Sequence, residues 1–194
     1  MKKTILALSL LGLASLPVVA ALKVSDMAPD FAGRGSLAGK EFNFSLKDAL
    51  KKGPAVVYFY PSAYTQCCDL EAHTFATEKD KFDAAGATII GVSADSIERL
   101  NQFSADPDYC AGKFPVVSDA DGKIAKSYAL NAGAARVGMK DVRGVAIDHA
   151  FIERVTYVIG KDHKIVATLS SADDKISPDQ HVHKALEIVQ KLGK

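Results

Sequence analysis

Six apolar residues, Ala55-Val56-Val57-Tyr58-Phe59-Tyr60, run straight into Pro61. The run is too short for a helix, and its valines and aromatics favour an extended, packed surface, so it reads as a buried strand. Proline lacks the N–H that a sheet ladder needs, and Pro61 ends the strand. Thr65 can cap a helix, and from there through Lys81 the residues Leu70, His73/Thr74 and Ala76 recur at helical spacing. Cys68 therefore falls in the first turn of a helix that leaves a buried strand. Unpaired backbone N–H groups and the positive end of the helix dipole favour a thiolate at that point, so a lowered thiol pKa is expected.

The rest of the chain continues the alternation. Residues 87–93 read as a second buried strand, 96–104 as a helix and 105–113 as a loop that carries Cys110. Asp121-Gly122 leads a helix through Ala129. Residues 154–160 and 164–169 read as two strands around a turn at Lys161-Asp162-His163. Pro178 to Leu192 forms a last amphipathic helix with Val182, Leu186 and Val189 on one face. Upstream, Gly33 to Phe44 suggests an early hairpin, and Leu46 to Leu50 a short helix stopped by Gly53-Pro54. The glycine-rich stretch from Asn131 to Glu153 is weakly patterned and is expected to be a long surface loop. Strands alternating with helices, then a terminal hairpin and helix, give a three-layer α/β domain.

At the N-terminus, Met1-Lys2-Lys3 precedes an apolar run from Ile5 to Val19, and Val18-Val19-Ala20 offers small residues for cleavage. This is the layout of a secretory signal peptide over residues 1–20. A membrane anchor fits less well, because the run is short and holds Gly12 and Pro17. Residues 21–194 are enough for one domain with a good core. Losing Lys2 and Lys3 takes the formal charge from +1 to slightly negative, which points away from nucleic acid and membrane surfaces as partners. Three cysteines in an oxidising compartment argue for at least one free, reactive thiol.

Pro61, Thr65 and Cys68 together spell P-x-x-x-T-x-x-C, which closely resembles the active-site signature of the peroxiredoxins. Val57-Tyr58-Phe59-Tyr60 before it and Glu71 after it look most like the Q-type subgroup, the bacterioferritin comigratory proteins. Asp26-Met27-Ala28-Pro29-Asp30-Phe31 and Phe114-Pro115-Val116-Val117-Ser118-Asp119 are similar to two further family segments. The resemblance runs with gaps from Asp26 to the last helix and implies a thioredoxin-like fold with a central mixed β-sheet. It implies that Cys68, and not Cys67, is the thiol that attacks a hydroperoxide. Arg154-Val155-Thr156-Tyr157-Val158-Ile159 matches the strand whose arginine reaches that thiolate. Thr65 is implied as a hydrogen-bonding partner and Pro61 as a shield for the sulfur. Glu71 is left between bonding to the loop and adding charge near the helix N-terminus.

The sequence departs from many Q-type relatives five residues after Cys68. Where they carry a resolving cysteine, this chain has His73, read as an exposed helix residue. Cys67 and Cys68 are neighbours, and adjacent α-carbons ~3.8 Å apart are too close for an unstrained disulfide. Cys110 is therefore the resolving candidate, since some relatives place that thiol in this region. His149, His163, His181 and His183 lack metal-ligand spacing and are read as solvated; no metal is assigned.

The expected activity is an exported, periplasmic or secreted, thiol-dependent peroxidase. It would need no cofactor, use a thioredoxin-like dithiol reductant and work as a monomer or homodimer. Two other readings compete. A thiol–disulfide oxidoreductase on the same fold would want C-x-x-C, and Cys67-Cys68 lacks the spacer. A metal-binding or redox-sensing protein would use Cys67, Cys68 and His73 as soft ligands.

Overall fold

The computed structural model describes residues 21–135 and 137–193; the expected signal peptide lies outside them. Seven strands form one mixed sheet in the order β2-β1-β5-β4-β3-β8-β9. Here β1 is Ala32–Leu37, β2 Lys40–Ser45, β3 Ala55–Phe59, β4 Thr88–Ser93, β5 Val116–Ser118, β8 Val155–Ile159 and β9 Ile165–Ser170. β3, β4 and β5 run parallel, while β8 pairs with β3, and β1 with β5, in the antiparallel sense.

β3 sits near the middle of the sheet and is buried along its whole length. Its side chains alternate between two cores, as a pleated strand requires. Val56, Tyr58 and Tyr60 face a layer made by α2 (Gln66–Ala84), α3 (Ile97–Ala105) and α6 (Pro178–Leu192). Ala55, Val57 and Phe59 face α1 (Leu46–Lys52) and α4 (Lys123–Ser127) on the other side. The three layers expected from the alternation are present. Each fully buried Val or Phe side chain of this strand contributes about 1.5–3 kcal/mol to holding them together. Opposite Tyr58 in the register stands Gly91, where a Cβ would lie 2.7 Å from the Tyr58 hydroxyl. The ring lies flat on the sheet because that position is glycine.

Several expectations are corrected. α2 buries Cys68, Ala72, Phe75, Ala76 and Phe82, whereas Leu70 and His73 point outward. His73 is exposed as read and Ala76 is buried, but Leu70 faces solvent, because Phe75 and Phe82 carry more apolar area and set the packing face. Residues 131–153 are not a plain surface loop. They form a small sheet of β6 (Ala132–Gly133) and β7 (Phe151–Ile152) and bury Asp141, Ile147 and Ile152. A short helix, α5 (Ser171–Asp174), follows β9.

Two histidines read as solvated are not. His181 is fully buried, with Nδ1 2.9 Å from Thr156 Oγ1 and Nε2 2.8 Å from Ser171 Oγ. Both ring nitrogens find hydroxyls, which makes burial of the imidazole tolerable. His149 is half-buried, its Nε2 2.7 Å from Asp95 Oδ1.

Candidate active site

β3 carries the chain to the C-terminal edge of the parallel strands, where crevices for ligands form in open α/β sheets. Tyr60 N makes a last sheet bond to Val92 O at 3.1 Å. From Pro61, itself half-buried, the chain crosses to α2 in a loop of five residues, 61–65. Thr65 is the N-cap, as expected, with an extended backbone. Its carbonyl accepts from Cys68 N at 2.8 Å and Asp69 N at 2.9 Å. The hydroxyl does not cap the helix: Oγ1 donates to Ser62 O at 2.8 Å and tightens the loop. Cys68 lies in the first helical turn and is 2 % exposed, while Cys67 faces solvent.

Arg154 enters at the start of β8. Its Nη2 donates to Cys68 Sγ at 3.1 Å and its Nη1 pairs with Glu71 Oε2. Glu71 is wholly buried one turn beyond Cys68. Neither role considered for Glu71 in the sequence is the one observed; it anchors the guanidinium. Sequence spacing carries no signal for this pairing, because 83 residues separate the partners.

The electrostatics of this triad are those of a buried site. Burial pushes the Cys68 thiol up, while the Arg154 guanidinium, the Thr65 hydroxyl and the Ser62 amide pull it down; the balance leaves it above its ordinary value. This corrects the expected lowering. In the closed pocket, loss of water outweighs the helix terminus and the cation. Burial likewise raises Glu71, to about 7, against the pull of Arg154. Arg154 is buried too, yet Glu71 and Cys68 hold its pKa above the usual value.

A set of residues that the sequence reading passed over scaffolds the loop. Asp95 follows β4 and is wholly buried. Its carboxylate accepts from Ala63 N at 2.7 Å, Ser62 Oγ at 3.0 Å and Ser93 Oγ at 2.7 Å. Burial raises Asp95, but His149 and these donors more than offset that and hold it below the usual carboxylate range. Burial lowers His149, and Asp95 outweighs it, so the imidazole sits above its ordinary value. The available signal was positional: Asp95 leaves β4 beside the point where Pro61 leaves β3.

Cys110 lies between α3 and β5, is fully buried and belongs to the same apolar cluster as Cys68. Burial, together with the carboxylates of Asp106 and Asp69, pushes its thiol well above the usual range. Asp69, next to Cys68, is itself raised by burial to about 7. The suggested soft-ligand set is not assembled. Cys67 is exposed while Cys68 is buried, and His73 Nδ1 lies 2.9 Å from Asp108 O. Among the described residues, no group of three His, Cys, Asp or Glu is placed to hold a metal ion.

Residues 24–168 match the AhpC/TSA family model. The chain belongs to the AhpC/TSA family. It is a peroxiredoxin, a thiol-dependent peroxidase. The bcp protein of Helicobacter pylori, which carries the peroxiredoxin name, is 31% identical over 166 residues, covering 86% of this chain and 97% of that protein. Chloroplastic peroxiredoxin Q of Sedum lineare is 28% identical over 158 residues, covering 77% and 75%. Among solved structures, peroxidoxin BcpB of Mycobacterium tuberculosis superposes with a TM-score of 0.71 at 26% identity, covering 88% of this chain and 97% of that one. The bacterioferritin comigratory protein of Xanthomonas campestris, described for its alkyl peroxide reduction activity, gives 0.63 at 27%, covering 83% and 92%. The Q-type likeness and the thioredoxin-like architecture of this peroxiredoxin are thereby established.

Proposed function

We propose that Cys68 is the peroxidatic thiol of this enzyme and that hydrogen peroxide and organic hydroperoxides are its substrates. The observation that carries the reading is the Arg154 hydrogen bond to Cys68 Sγ at 3.1 Å. A single cation at the sulfur stabilises the thiolate and then the charge that develops on the departing oxygen. The Cys68 thiolate attacks the distal oxygen, the O–O bond breaks, and the alkoxide or hydroxide takes a proton and leaves as alcohol or water. Cys68 becomes a sulfenic acid. Thr65, bound to Ser62 O, keeps the loop tight around the sulfur, and Pro61 covers its entrance. Glu71 keeps Arg154 aimed.

Cys110 resolves the sulfenic acid. Its sulfur attacks Cys68, a disulfide forms, and the thiol proton leaves with the sulfenic oxygen as water. An external thioredoxin-like dithiol protein then exchanges with that disulfide, restoring both thiols and taking the disulfide itself. The cycle uses no cofactor. On the basis of residues 1–20, the enzyme is exported and works in the periplasm or outside the cell. A peptide map of full-length reduced protein treated with one equivalent of peroxide tests the chemistry. Oxidation at Cys68 and a bond to Cys110 are expected; first oxidation at Cys67 would overturn the assignment.

A further inference from the structure

Residues 61–65 have no regular structure of their own, so the polar groups that internal bonds such as Thr65 Oγ1 to Ser62 O leave unmet need partners from outside. Asp95 meets part of that need. Arg99, on α3, meets another part: its Nη2 donates to Ala63 O at 2.8 Å, and the guanidinium ion-pairs with Asp95 at 2.9 Å and Asp141 at 2.8 Å. Asp141 belongs to the strap 139–149, and its side chain is fully buried. It accepts from Arg143 N and Val145 N, both at 2.9 Å, and from Arg143 Nε at 3.0 Å and Nη2 at 2.9 Å. Arg143 is thereby folded back over the loop. Its guanidinium carbon stands 3.3 Å from the centroid of the Tyr64 ring, while Val142 N donates to Tyr64 O at 3.0 Å.

Tyr64 is the joint between three segments. It holds a left-handed backbone, φ 58°, which a bulky residue adopts only at a cost. It sits beside Thr65, just ahead of Cys68. Its ring also packs against Phe103 at 5.1 Å and Tyr109 at 5.4 Å, and Tyr109 is the residue before Cys110. One aromatic ring therefore ties the strap, the peroxidatic loop and the Cys110 loop together.

We propose that Arg143 is a positioning residue for the resolution step: its stack on Tyr64 latches the two cysteine-bearing segments closed, and the sulfurs meet only when the latch opens. The step it governs is the condensation of Cys68 sulfenic acid with the Cys110 thiol, with loss of water, so the proposal rests on Cys110 as resolving thiol. The strain at Tyr64 favours departure and the stack on Arg143 opposes it.

The test compares wild type, Arg143→Gln and Arg143→Lys, which keeps the charge but not the planar stack. Reduced protein is exposed to N-ethylmaleimide, and alkylation of each cysteine is followed by mass spectrometry beside the denaturant midpoint. Arg143→Gln is expected to speed alkylation of Cys110 by about 3- to 30-fold, the range a partly desolvated cation–π contact supplies. Cys67 should be unaffected, and Arg143→Lys should fall between. Quenched peroxide reactions should show faster Cys68–Cys110 disulfide and less sulfinic Cys68, at an unchanged rate of first oxidation. Unchanged Cys110 alkylation in both variants overturns the latch, as does acceleration fully explained by a lower midpoint. Faster alkylation without faster disulfide also overturns it where wild type forms that disulfide. Where wild type forms none, the Cys110 assignment itself fails, and the role of Arg143 in resolution falls with it whatever the alkylation shows. Should Arg143→Gln fail to fold, Arg143→Lys carries the comparison.

Discussion

Arg154 reaches across 86 residues of chain to place Nη2 3.1 Å from Cys68 Sγ. The same guanidinium is held by Glu71, from the helix that carries Cys68. The thiol and its cation are thus fixed by one helix and one strand start, and the charge cannot swing away without breaking a buried ion pair. Arg154→Leu removes the strongest influence that lowers the Cys68 pKa. That pKa should rise further, and peroxide should oxidise the thiol more slowly. Thiolate absorbance titration and the oxidation rate check this; an unchanged pair of values would reduce Arg154 to a structural residue.

The choice between neighbouring thiols is equally direct. Cys68 lies against Arg154 in the pocket and Cys67 lies in solvent. Cys68→Ser should abolish peroxide consumption and Cys67→Ser should retain it. Rapid oxidation surviving in Cys68→Ser would refute the assignment.

Much of this site was legible because it is local. A strand ending ahead of Pro61, Thr65 at the N-cap position and a cysteine in the next turn follow from short-range rules, although the Thr65 hydroxyl bonds Ser62 O and does not cap the helix. Arg154 was found only through its strand motif, since nothing in its spacing to Cys68 signals contact. Glu71, Asp95, Arg99 and His149 were missed in their roles for the same reason: each is defined by a partner tens of residues away. His181 was misread because an amphipathic pattern marks hydrophobic faces and says nothing of a histidine satisfied by Thr156 and Ser171. The sheet order β2-β1-β5-β4-β3-β8-β9 was likewise beyond periodicity, which gives elements and not their neighbours.

Glu71 acts on Cys68 in two opposed ways, by aiming Arg154 and by placing a negative charge near the sulfur. Glu71→Gln keeps an amide oxygen for Arg154 and removes the charge. The Cys68 pKa should therefore fall below that of wild type, read by the same titration. A rise would mean that the aim of Arg154 depends on the full ion pair.

His181 makes a pH-dependent prediction. Burial and the nearby Arg154 lower its pKa to about 4, from an ordinary ~6.5 in the unfolded chain. Protonation therefore favours unfolding, and the stabilisation present above ~6.5 is lost as pH falls towards the folded value, by up to ~3 kcal/mol. Glu71 and Asp69, both raised to about 7, act in the opposite sense: their contribution is present at low pH and lost as pH rises through about 7. The decisive quantity is the difference in urea stability between wild type and His181→Gln across this window. It should shrink as pH falls, and a flat difference would show that His181 does not titrate in this way.

Resolution is the boldest expectation. Cys110 is fully buried and, with Asp69 and Asp106 nearby, its thiol is held protonated well above neutral pH. It becomes an effective attacking group only when its loop opens to water, where its pKa returns towards ~8.5. Opening is feasible because 106–113 is built from turns and carries Pro107 and Gly112, and such segments unfold locally at low cost. Cys110→Ser should then stop after one turnover with a protein dithiol, and peroxide-treated wild type should carry a Cys68–Cys110 disulfide. The rival is direct attack on the sulfenic acid by an external thiol, which requires the Cys68 pocket alone to open. Mass spectrometry separates them: sulfenic or sulfinic Cys68 with Cys110 still a free thiol, together with full turnover by Cys110→Ser, would leave Cys110 as a packed core residue only.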